Sequence, residues 1–329
     1  SGSITVVHDL AFNLVGIQAE ILLHSLPANG KLYVSYHTNG DNKSGGSIEV
    51  ASMTEGSKKL NIEASKKAER TDYNHLIVDG SKLFLAGSQQ GNGAAEGTAV
   101  GAFMGAVDIT GSGISDNMVI YAIDKKNDKV DANCVAAFGT DHVLATTKGF
   151  TVVDEDGNYT PFNTSYVGKH VVTANSKLYT LTEDGKLNVY NSTDMTTAAS
   201  TYEVGEVAPK GNKAVVAVDE ANGDIYVCKG ENGVAKISGS TVNQNFFTCP
   251  TNKAGNVEGC ANGVATDGQY IYIACGSYGV VVLDKEGKEV CHRKAASGKS
   301  ANYVAVDNGN IYVAYGQSRI QVYTITQTK

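Results

Sequence analysis

Short apolar runs punctuate the chain from end to end, and each is closed by a turn rich in Gly, Asn, Asp or Ser. The stretch "SANYVAVDNGNIYVAYGQSRIQVYTI", Ser300 to Ile325, reads as strand, tight turn, strand, turn, strand. Its core has relatives throughout: "GVATDGQYIYIACG" from Gly263, "VVAVDEANGDIYVCKG" from Val215, "VVTANSKLYTLTEDG" from Val171, "VAAFGTDHVLATTKG" from Val135, "LIVDGSKLFLAGS" from Leu76 and "LLHSLPANGKLYVSYHT" from Leu22. Anchored on Leu32, Leu83, Val143, Leu178, Ile225, Ile271 and Ile311, the seven copies lie 51, 60, 35, 47, 46 and 40 residues apart. No stretch carries a helical period long enough to matter.

A third strand follows each copy, as in "GKLNVYN" at Gly185, "GVAKIS" at Gly233 and "GVVVLD" at Gly279. A fourth, more polar strand usually comes next, as in "KLNIEAS" at Lys59 and "GKEVCHR" at Gly287. Four strands in roughly 47 residues is the arithmetic of a β-propeller blade. A four-stranded sheet has two faces to cover, neighbouring blades supply the cover, and the inner strands then read as apolar runs rather than alternations. The last copy lacks a fourth strand, whereas "SITVVHD" from Ser3 has no partner near it. The expectation is therefore an all-β, seven-bladed β-propeller of four-stranded blades, a single domain over residues 1–329. Its N-terminal strand completes the last blade and covers a sheet edge that would otherwise be open. The blades fall at about 16–68, 72–126, 132–166, 168–206, 211–248, 260–295, and 300–325 with 3–9. Two stacked β domains are the rival, but turn spacing is even and no linker interrupts it.

"YVAVDNGNIYVAYGQSRIQVY" resembles an NHL-type repeat, and "YIYIACGSYGVVVLD" from Tyr270 is similar to the LVIVD-type propeller repeats of secreted bacterial proteins. The likeness covers about a third of the chain and fixes fold better than function. WD-type and kelch-type signatures are missing. With no Trp in the chain, the Trp-containing boxes of sialidases and the docking motif of quinone-dependent dehydrogenases are excluded. The resemblance implies an exported bacterial protein, periplasmic or anchored at the cell surface through a segment outside this chain.

A net charge of −7, with no long Lys/Arg run, argues against nucleic acid as the partner. No apolar run approaches the roughly 20 residues of a membrane helix, so no transmembrane segment is expected in this chain. Six cysteines without CxxC spacing make neither a disulfide scaffold nor a zinc knuckle. Cys249 and Cys260 bracket one loop, and in an oxidising compartment a bridge there would be worth about 3 kcal/mol.

Aligning the copies puts Asn74, Asn133, Asn262 and Asn302 just before the innermost strand, with Lys169 in the same column. The next column holds His75, Cys134, His170, Gly263 and Tyr303. Each Asn would cap its own turn, or the column would form a ring of amides around a channel mouth, able to hold a polar ligand. The candidate ligand-binding set is thus Asn74, His75, Asn133, Lys169, His170, Asn262, Asn302 and Tyr303. Two histidines fall short of the three ligands a metal usually needs, so no cofactor is expected and no catalytic residue is assigned. Calcium or zinc in the channel is the alternative, because NHL-type amidating lyases hold zinc on three histidines and lactonases of similar fold hold calcium. Asp79, Asp219, Asp267 and Asp307 sit at the far turn, where Asp is chiefly a turn former.

Long loops from Thr38, Ser65, Gly87 and Cys249, together with the group Arg70, Tyr73, Lys169, Arg293, Tyr303 and Arg319, mark the face where an anionic or sugar ligand would dock. Cys134 is the thiol to test for reactivity. The reading is a non-catalytic binding propeller with a protein or glycan partner. The alternative is a metal-dependent hydrolase or lyase of lactonase or amidating-lyase type.

Overall fold

A computed structural model describes residues 2–11, 17–24, 31–38, 46–53, 60–89, 101–123, 130–162, 166–207, 214–315 and 319–327. Every regular element among them is a strand. β1 (Gly2–Ala11) leads the chain. Blade 1 follows as β2 (Ile17–His24), β3 (Lys31–Thr38), β4 (Gly46–Met53) and β5 (Leu60–Ala68). Blade 2 is β6 (Thr71–Asp79), β7 (Lys82–Gln89), β8 (Gly101–Thr110) and β9 (Gly113–Ala122). Blade 3 is β10 (Ala132–Phe138), β11 (Asp141–Thr146) and β12 (Gly149–Val153). Blade 4 is β13 (Gly168–Ala174), β14 (Lys177–Thr182), β15 (Lys186–Tyr190) and β16 (Ser200–Glu203). Blade 5 is β17 (Val215–Val218), β18 (Ile225–Cys228), β19 (Val234–Ser238) and β20 (Thr241–Phe247). Blade 6 is β21 (Ala261–Thr266), β22 (Ile271–Cys275), β23 (Val280–Leu283) and β24 (Glu289–Arg293). Blade 7 is β25 (Ala301–Asp307), β26 (Asn310–Tyr315) and β27 (Arg319–Gln327).

These are the seven sheets of a seven-bladed β-propeller, antiparallel wherever a register is seen. Blade 7 takes its fourth strand from the chain's start: β1 pairs with β27 from Gly2–Gln327 to Ala11–Arg319, with a bulge between Val6 and His8. That is the expected closure, set slightly longer than the apolar run alone suggested. Blade 3 shows three strands among the described residues.

By chain contacts the molecule comprises two compact units. One is Ser1–Ile21, Glu183–Leu187 and Tyr202–Lys329; the other is Leu22–Thr182 and Asn188–Thr201. In each, the core lies between consecutive blades. Tyr226, Val234, Val264 and Ile273 pack blade 5 on blade 6, and Val280, Val304 and Val313 pack blade 6 on blade 7. In the other unit, Leu76, Leu83 and Leu85 pack on Ile48 and Val50, and Leu178 packs on Val143.

Burial follows position in the blade. Second strands such as β22 and β18 are buried throughout, with sheet neighbours on both sides; β22 also has blades 5 and 7 on its two faces. Fourth strands such as β16 and β24 are mostly polar and exposed or half-buried. The innermost strands depart from expectation. Ala305 and Val306 on β25 are only half-buried, because an innermost strand is a sheet edge with one neighbour in its sheet.

Candidate functional site

The Asn column proves to be a row of β-bulges. Strand register slips between Tyr73 and His75, Ala132 and Cys134, Gly168 and His170, Ala261 and Gly263, and Ala301 and Tyr303. The residue skipped in each blade is Asn74, Asn133, Lys169, Asn262 or Asn302. A bulge leaves one residue outside the ladder and re-aims its side chain. Asn74, Asn133 and Asn262 use that freedom to reach the next blade, whereas Asn302 bonds locally. Asn74 Nδ2 donates to Ala132 O at 2.9 Å, Asn133 Nδ2 to Gly168 O at 3.0 Å, and Asn262 Nδ2 to Ala301 O at 3.0 Å. Each acceptor immediately precedes the bulge residue of the following blade. Asn302 Oδ1 accepts from Ser300 Oγ at 2.9 Å. Lys169 and Tyr303 are half-buried at their bulges.

The residues after three consecutive bulges converge. His75, Cys134 and His170, one each from β6, β10 and β13, bring a donor atom apiece to within 4.8 Å of one another. Cys134 Sγ lies 3.6 Å from His75 Nδ1, and the two imidazoles meet edge to face with centroids 5.7 Å apart. Val135 N donates to His75 Nδ1 at 3.2 Å, and the Cys134 thiol donates to Val171 O at 3.2 Å. The three side chains are sealed, at 8%, 0% and 7% exposure.

Burial sets their protonation. It lowers His75 to about 4 and His170 to about 3, the nearby His75 charge adding to the second shift. It pushes the Cys134 thiol up to about 12, against a smaller opposing pull from the hydrogen bonds with the Val171 and Val135 backbone. At neutral pH the cluster is two neutral imidazoles and one thiol. Cys134 is therefore not the reactive thiol its position suggested. The sequence placed all three residues in one column, and the signal was there in their consecutive blades. Counting the histidines without the cysteine hid it.

Other candidates disperse. Tyr73 is a core residue, edge-on to Phe103, and leaves the docking group. Arg293 lies over the Tyr323 ring at 5.7 Å. The segment from Ser65 is not a long loop: β5 and β6 meet through a two-residue turn, with Arg70 at φ 54°. The segment from Cys249 is an ordered turn in which Asn252 Oδ1 accepts from Ala254 N and Asn256 N. Residues 39–45 and 90–100 of the remaining two loops, and the Arg319 side chain, lie outside the described residues.

Asp219 and Asp267 do form their turns, accepting from Ala221 N and from Gln269 N and Tyr270 N. Asp79 instead reaches His142 Nε2 of the next blade at 3.0 Å. Cys249 Sγ lies 3.8 Å from Cys275 Sγ, and all six thiols are free, Cys260 among them.

Residues 152–329 match the profile of a family described as "Domain of unknown function (DUF5074)". A comparison with curated proteins gives no significant match. Among solved structures, the WD40 domain of Neurospora crassa Pan2 superposes with a TM-score of 0.63 at 10% identity, over 99% of this chain and 96% of that one. Virginiamycin B lyase from Staphylococcus aureus, solved as a catalytically inactive variant with quinupristin, gives 0.66 at 11% identity over 98% and 99%. Chaetomium thermophilum Raptor gives 0.65 at 8% identity, over 98% of this chain and 29% of that one. At such identities the likeness is one of fold.

Proposed function

The chain belongs to the DUF5074 family and folds as a seven-bladed β-propeller, and from that premise we propose that it is a non-catalytic binding module. One observation carries the reading. The one group of three or more His, Cys, Asp or Glu side chains clustered this closely among the described residues is His75, Cys134 and His170, and it is buried and uncharged at neutral pH. A general base or nucleophile must reach a solvent-borne substrate, and these cannot. The shared fold of virginiamycin B lyase supplies the rival, a lyase or metal-dependent hydrolase, and the same burial speaks against it.

The bulge residues offer a recognition surface in each unit. Inter-blade amide bonds tie the Asn74, Asn133 and Asn262 bulges to the next blade, and a pre-organised surface lowers the entropy cost of binding. Lys169, Asn302 and Tyr303 supply a cation, an amide and an aromatic ring, chemistry suited to a glycan or a polar protein surface. The NHL- and LVIVD-like repeats and the Asn-, Thr- and Gly-rich composition support a bacterial protein working outside the cytoplasm.

The test is to display the purified protein to glycan and extracellular-protein panels. A saturable partner should bind the wild type and bind Asn302→Ala/Tyr303→Ala roughly tenfold more weakly. Turnover of lactones or cyclic peptides by the wild type, abolished in His170→Ala, would overturn the reading.

A further inference from the structure

A binding role leaves His75, Cys134 and His170 unused, although three consecutive blades bring their donor atoms together. Their chemistry is that of a soft-metal site. Sulfur and imidazole nitrogen bound to one ion at about 2.3 and 2.0 Å stand roughly 3.6 Å apart at trigonal to tetrahedral angles. The Cys134 Sγ to His75 Nδ1 separation is 3.6 Å. His170 brings the third donor within 4.8 Å of both.

Charge chooses the ion. No carboxylate belongs to the cluster, so a bound thiolate contributes the site's only negative charge. A divalent ion would leave one uncompensated positive charge in a sealed interior, which is costly. A monovalent ion leaves none. Thiolate and imidazole donors suit copper(I). We infer that His75, Cys134 and His170 form a buried three-coordinate site for a monovalent soft cation, copper(I), which ties three consecutive blades together.

Binding breaks the Cys134 S–H bond and makes one S–Cu and two N–Cu bonds. The proton that the thiol directs at Val171 O leaves to solvent, and no electron moves because the ion enters as copper(I). Val135 N–H, which donates to the His75 Nδ1 lone pair, gives way to the ion.

The experiment titrates the full chain, reduced and anaerobic, against the coloured copper(I)–bicinchoninate complex. The protein should withdraw one equivalent of copper(I), release one proton per ion, and melt at a higher temperature when loaded. X-ray absorption should show one sulfur and two nitrogen neighbours. Cys134→Ser and His170→Ala should each weaken binding by roughly a hundredfold, whereas Cys249→Ser should not change it. Should Cys134→Ser fail to fold, the absorption spectrum of the loaded wild type decides. Failure to withdraw copper(I), a spectrum without sulfur, retention of the ion by a folded Cys134→Ser protein, or tighter binding of zinc(II) at the same residues would each overturn the assignment.

Discussion

Glu49 on β4 is 5% exposed, with Tyr36 Oη donating to its Oε2 at 3.3 Å. Burial raises its carboxyl to about 7, against smaller opposing pulls from the Tyr36 bond and the Lys67 charge, while an unfolded glutamate titrates near about 4.3. The folded state thus holds this proton more tightly than the unfolded state. The stabilisation is complete below the unfolded value and is lost as pH rises through about 7. Between pH 5 and pH 8 the loss should be roughly 2 kcal/mol. Urea melts of wild type and Glu49→Gln across that range measure it: the difference between the two should shrink or reverse with pH, and parallel profiles would refute the assignment. At this scale the sequence showed residue types and their recurrence but not their partners. Asn74, Asn133 and Asn262 were visible as a column, yet their bond to the following blade depends on a bulge, and a bulge is a property of paired strands. The Asp79–His142 contact was invisible for the same reason.

The turns into the third strands show what an element demands of one residue. Gly279 opens β23 at φ 93°, and a Cβ there would sit 2.0 Å from Arg293 O. Gly233 opens the equivalent turn before β19 at φ 78°, with a Cβ 2.0 Å from Phe247 O. The positive φ disfavours a side chain, and the carbonyl is backbone and cannot swing aside. Gly279→Ala should therefore cost about 2 kcal/mol or more, read as a lower midpoint in urea; an unchanged midpoint would mean the turn can relax. Closure by β1 is the second element-scale claim. Deleting residues 1–9 removes most of its pairing with β27 and leaves an open edge. A sharply lower melting temperature and a tendency to associate through that edge should follow. A truncated protein that melts as the wild type would show that blade 7 holds without its fourth strand. The strands themselves were legible because each is a short apolar run bounded by turn formers. The half-burial of β25 was not, since the repeat pattern shows which strand is innermost but not how much of it the neighbouring blades cover.

The whole molecule carries a net charge of −7. At low salt it should neither shift the mobility of duplex DNA nor bind heparin, and retention on either that fades with salt would contradict the charge argument. Among the described residues no helix is long and apolar enough to cross a membrane. Seven copies 35 to 60 residues apart, four strands to most copies, and a partnerless strand at the start together determined the architecture from the sequence alone. They could do so because turn chemistry and apolar runs are local, and because a missing strand at one end and a spare one at the other admit few arrangements. Only the tertiary structure decided what the recurring columns do. Bulges aim asparagines at the next blade, and His75, Cys134 and His170, separated by 59 and 36 residues of chain, become neighbours because their blades pack side by side. Burial, which sets their protonation and withholds them from solvent, belongs to that packing and to no residue by itself.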